Sequence, residues 1–125
     1  MLNELDAPQW IEEGVSQVVE EQLGGGHAIR LDHETARNLR AYWHRQGLND
    51  FWSGKSFDNP DEGQGFSYQF AEILVRLILE DHRPVFLKFL EQANREDGGE
   101  AAAREQLGKS LNDIAATFLG AGSPP

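Results

Sequence analysis

"QGFSYQFAEILVRLILED", residues 64 to 81, decides the fold. Turned at about 100° per residue, Phe70, Ile73, Leu74, Val75, Leu77, Ile78 and Leu79 cover most of a helix surface. Only Gln69, Glu72, Arg76 and Glu80 remain as a polar stripe. A surface helix carries one apolar face, whereas a helix apolar nearly all round is covered by its neighbours. The stretch is therefore expected to be the central helix of an all-α domain. Glu72 and Arg76 are spaced to pair, worth roughly 0.2–0.5 kcal/mol if exposed. They also interrupt the apolar run, which is too short to span a bilayer.

Toward the C-terminus, a helix begins near Pro84 and buries Val85, Phe86, Phe89 and Leu90. Another runs from about Glu100 to Leu107 and stops at Gly108. Ser110 and Asp113 have the spacing of a capping box for a last helix, with Leu111, Ile114, Ala115 and Phe118 facing inward. The tail "GAGSPP", residues 120–125, is expected to be disordered.

Toward the N-terminus, residues 47–64 are rich in turn formers yet contain Phe51, Trp52 and Phe57. Three large aromatics pin such a loop to the core, with a short helical turn at Asn49 to Ser53. A helix capped by Asp32 runs to about Gln46, its inward stripe Ala36, Leu39 and Trp43, and Gly47 stops it. Residues 28–31 favour at most a short extended piece. In the first helix, capped by Asp6 with Pro8 in its first turn, Trp10, Ile11, Gly14, Val15, Val18 and Val19 share one arc. Glu13, Ser16, Gln17 and Glu20 lie opposite, and Gly24-Gly25-Gly26 ends the helix. The sum is one compact domain over residues 1–119, of five to six helices around residues 64–81, with no repeat.

The chain has 125 residues, 39% of them hydrophobic and 26% charged, the balance of a single globular domain. Its net charge of -10 repels phosphate backbones and anionic lipid, so neither nucleic acid nor membrane is the expected partner. The absence of cysteine removes thiol catalysis, disulfides and Cys-type zinc sites. The first ten residues contain neither the basic start nor the apolar stretch of a signal peptide, and a cytoplasmic location is the default.

"WIEEG", residues 10–14, resembles the W-x-x-E-G segment of gluzincin-type metallopeptidases of the peptidase MA-like group. The resemblance extends over most of the chain. "LNDFWSGKSFDNPDEGQGFSYQFAEILVRLIL" is similar to the aromatic loop and long apolar helix that follow there, and "EAAAREQLGKSLNDIAATFL" to the closing helices. In that family an upstream helix carries H-E-x-x-H, whose two histidines bind zinc and whose glutamate activates water. The glutamate before the glycine is the third ligand, a position matched here by Glu13. Tyr68 either stands where related peptidases use a tyrosine or histidine to stabilise an oxyanion or packs against the aromatic loop.

The rest of that pattern is missing from these residues. Two imidazoles reach one zinc ion when they lie one helical turn apart. The histidines are His27, His33, His44 and His82, and no two have that spacing; in "HETAR" the second position is Arg37. Glu13 is thus either a zinc ligand completed elsewhere or a solvated carboxylate. His27 and His33 are surface histidines or, with Glu13, a new site. "DNPDEG", residues 58–63, reads as a capped turn, because Pro60 and Asp61 break the alternation of a calcium loop.

Two functional expectations follow. The first is a non-catalytic helical domain that binds protein, or a second copy of itself, through Trp10, Ile11, Val18, Phe51, Trp52, Phe57 and Tyr68, with no cofactor. The second is a fragment of a longer zinc peptidase whose H-E-x-x-H helix lies upstream or in another chain. A third option is a small-molecule module built on Trp43, Phe51, Trp52 and Phe57.

Overall fold

The computed structural model describes residues 7–22, 33–58 and 62–119. The caps at Asp6 and Asp32, the triple glycine, the 28–31 piece, His27, residues 59–61 of the 58–63 turn and the 120–125 tail lie outside the described residues. Within them the chain is all-α. Seven α-helices follow in order: α1 (Gln9–Gln22), α2 (His33–Gln46), α3 (Asn49–Ser53), α4 (Glu62–Asp81), α5 (Phe86–Gln92), α6 (Glu100–Ala102) and α7 (Leu111–Leu119). Short 3-10 turns at Lys55–Asp58 and Arg83–Val85 precede α4 and α5, and a π-helical turn, Ala103–Leu107, continues α6.

The helices end where local chemistry ends them. Gly47 takes φ 78°, a left-handed geometry glycine enters without strain, and its N–H closes on Trp43 O at 2.9 Å. At the start of α7 the capping box is reciprocal. Asp113 N donates to Ser110 Oγ at 3.1 Å, and Ser110 N donates to Asp113 Oδ2 at 3.4 Å.

The long helix α4 buries Phe70, Ala71, Glu72, Ile73, Leu74, Val75 and Ile78 and packs against α1, α2 and α7. Its closest neighbour is α1, and Gly14 explains why. A Cβ added there would lie 2.5 Å from both Ala71 O and Val75 Cγ2, so the two backbones approach as only glycine permits. Gly14→Ala gains about 0.5–1 kcal/mol of helix propensity. The clash outweighs it, since overpacking a tight contact costs typically about 1–3 kcal/mol. A net loss of stability in urea denaturation is the expected outcome; a gain would show that α1 stands off from α4.

The polar stripe on α4 is not solvated along its length. Gln69 and Arg76 are half-buried and Glu80 exposed, but Glu72 is 1% exposed. Arg76 meets it as the spacing suggests: Nε donates to Glu72 Oε2 at 3.0 Å, and Nη2 lies 3.0 Å from the same oxygen. A carboxylate that far from water requires such a partner. The pair therefore holds a buried charge, a larger role than the exposed pair its spacing alone implied.

A second aromatic layer closes the other side of the core. Trp43 stacks on Phe70 with centroids 5.3 Å apart, and Phe51 meets Trp10, Trp43, Phe57 and Phe70 within 6.0 Å. The aromatic loop between α2 and α4 is thus an internal wall of the domain.

Candidate functional site

The packing of α1 on α4 brings Glu13 and Tyr68 onto one rim. Glu13 is half-buried although it lies opposite the apolar arc of α1. One turn on, Gln17 Nε2 donates to Tyr68 O at 2.9 Å and to Glu13 O at 3.3 Å, tying the two helices together. The Tyr68 ring stands edge-on to Phe57, 5.3 Å between centroids. Ser67 Oγ, 2.7 Å from Ser56 Oγ and 2.6 Å from Gly63 O, anchors the Lys55–Asp58 turn beneath it.

The environment holds the Tyr68 phenol above its ordinary pKa, first through burial and then through the negative charges of Glu13 and Asp58. A phenol is protonated at neutral pH with or without this shift, so what the environment moves is its alkaline titration. In an alkaline titration followed by the Tyr68 ring carbon in NMR, ionisation is expected later than for an exposed tyrosine, and Glu13→Gln is expected to move it earlier. The linked stability is fully present below the unfolded pKa of about 10 and is lost as pH rises through the folded value. A Tyr68 that titrates as a free phenol would separate it from Glu13.

The seven residues expected to form a contact surface are placed differently. Trp10, Ile11, Val18, Phe51 and Phe57 are buried, none more than 5% exposed, and Trp52 and Tyr68 are half-buried. Packing within the chain fills the arc that α1 was expected to leave open. Trp10 illustrates the reason: its indole N–H donates to Gly98 O at 2.9 Å, and Trp52 and Phe89 flank its ring. What stays uncovered on α1 is its edge, Val19 at 46% exposure beside half-buried Val15. Val18→Glu therefore probes the core, and Val19→Glu is the variant that probes the surface. Trp43, Phe51 and Phe57 are likewise interior, and Trp52 is half-buried.

Among the described residues no group of three His, Cys, Asp or Glu side chains converges as metal ligands. His33 lies exposed at the start of α2, His44 is half-buried in the last turn of the same helix, and His82 is half-buried just after α4.

A concavity that no motif announced lies between α2, α4 and α7. Arg40, Glu72, Ile73, Arg76, Leu77 and Phe118 line it, with Glu80 and Thr117 at its edge, and it encloses about 230 Å³. Periodicity does not reveal it, because its walls come from three helices distant in sequence.

Compared with known proteins, the chain matches no family model, no curated protein and no solved structure. No described helix is long and apolar enough to cross a membrane.

Proposed function

We propose that this chain is the C-terminal helical portion of a peptidase MA-like fold, lacking a complete catalytic constellation of its own, and that its working face is the rim of Glu13 and Tyr68. The observation that carries this reading is the Gln17 link, which ties the main chain of α1 at Glu13 to that of α4 at Tyr68. Glu13 and Tyr68 match the two positions of the resembled family that act at the metal, one as third ligand and one toward an oxyanion.

The fit to zinc is partial. Glu13 suits a third-ligand position, but a stable zinc site takes at least three protein ligands. The two imidazoles have no counterpart among the described residues. No catalytic step follows for this chain by itself. An H-E-x-x-H helix, upstream in a longer protein or in another chain, is what the rim requires. Zinc held there, with Glu13 as one ligand, would supply Lewis acidity. The part of these residues is to present one carboxylate and one protonated phenol, on two helices that Gln17 ties together.

Two measurements test the reading. The native transcript, read upstream of Met1 and through its neighbouring genes, should encode an H-E-x-x-H helix. The 125-residue chain alone, dialysed without chelator, should hold well under one zinc per chain by elemental analysis. One zinc per isolated chain, lost in Glu13→Ala, would mean the site is complete within these residues. No H-E-x-x-H in either place would leave a non-catalytic module.

A non-catalytic protein-binding module is the second reading, and the uncovered Val15–Val19 edge of α1 favours it. Light scattering over a concentration series on wild type and Val19→Glu examines its self-association branch. A wild type that stays monomeric removes that branch at the concentrations used.

A further inference from the structure

The groove between α2, α4 and α7 combines an apolar floor with one arginine held ready. Arg40 Nε donates to Phe118 O at 2.9 Å, and its guanidinium carbon lies 4.8 Å from the centre of the Phe118 ring. These contacts fix the guanidinium plane and use only one of its donor groups. The terminal amino groups have no protein partner among the described residues. A planar fork fixed in this way is pre-organised for a carboxylate, which it can take bidentately. Beneath it lie Ile73, Leu77 and Phe118.

The lining does not share the acidity of the chain. Glu72 is paired with Arg76, and Glu80 is exposed at the rim. Two arginines and two glutamates thus balance in the lining, against a net charge of -10 for the whole chain. Around it, α2 carries Arg37, Arg40 and Arg45 against Glu34 alone, a positive helix on a negative protein.

Size limits the occupant. About 230 Å³ is below the roughly 300–1,000 Å³ of pockets for drug-sized ligands. A docked helix needs a row of apolar anchor sites. The large hydrophobics exposed among the described residues are Val19 and Leu87, and neither lines the groove.

We propose that this groove binds a compact amphiphilic carboxylate, a small molecule whose carboxylate is taken by Arg40 and whose apolar body lies on Ile73, Leu77 and Phe118. The site is separate from the Glu13–Tyr68 rim, and its test does not depend on the metallopeptidase reading.

The test is an amide NMR titration of the full chain with hexanoate and, as its uncharged counterpart, hexanamide. Hexanoate should shift Leu77, Thr117 and Phe118 saturably, and hexanamide should bind at least about tenfold more weakly, as loss of a charge-assisted contact implies. Arg40→Gln should weaken hexanoate by a similar factor. Arg37→Gln, on the same helix but outside the lining, should leave binding unchanged. Arg40 is exposed, so the variant keeps its fold, and its own spectrum verifies that. Equal binding of the amide, indifference to Arg40→Gln, or no saturable shift into the millimolar range would overturn the proposal. So would tighter binding at the same residues by a short peptide of alternating glutamate and leucine, which would make the groove a protein-docking surface.

Discussion

Trp10→Ala is expected to destabilise the domain by about 3–5 kcal/mol, the range for truncating a buried tryptophan. The side chain is 0% exposed and is the joint between the first helix and the second half of the chain. Its ring lies 6.0 Å from Phe51, 5.4 Å from Trp52 and 6.4 Å from Phe89, so alanine leaves a cavity bordered by rigid rings that close in poorly. Its N–H is also the partner of Gly98 O. Losing that donor strands a buried carbonyl. Since domains of this size are stable by only about 5–15 kcal/mol, the loss is a large share of the whole. Trp10→Phe keeps part of the ring packing and should cost less. Urea midpoints with an unchanged slope would measure both. A Trp10→Ala shift under about 1 kcal/mol would mean α1 is peripheral.

Leu74→Ala is the second large effect, at about 2–5 kcal/mol. Leu74 is fully buried in the middle of α4, between Ala71 and Ile78, which face the same core. Its loss opens a void that the α1–α4 contact cannot close, because Gly14 already sits against Ala71 and Val75 at the limit of approach. Trp10→Ala and Leu74→Ala act on one core through different neighbours. A double variant therefore shows directly how strongly the aromatic layer and α4 are coupled.

What could be read from the sequence, and what could not, divides along local and long-range physics. The apolar surface of α4, the Ser110–Asp113 box and the stops at Gly47 and Gly108 depend on residues a few positions apart, and they were legible. The arc of α1 was legible too, but not what covers it. Periodicity gives the direction of a face and not its partner, so Trp10, Ile11 and Val18 looked available when packing within the chain had already buried them. Glu72 failed in the opposite sense. Its i,i+4 arginine gave the pairing, but the burial comes from the surrounding fold. For the candidate site, the residue types were suggested by the resemblance, whereas the Gln17 link between the main chains at Glu13 and Tyr68 needed the helix packing. The groove at Arg40 had no sequence signal at all.

The claim that Glu13 is a metal ligand awaiting its histidines is tested most directly by zinc stoichiometry. The measurement belongs on the protein that carries the H-E-x-x-H helix, whether the same polypeptide or a companion chain assembled with this one. Glu13→Gln removes the proposed ligand, while Glu12→Gln, whose carboxylate lies 3.6 Å from Arg95, is the neighbouring control. The account predicts one zinc per assembly in wild type and in Glu12→Gln, and its loss in Glu13→Gln. Zinc retained in full by Glu13→Gln would contradict it.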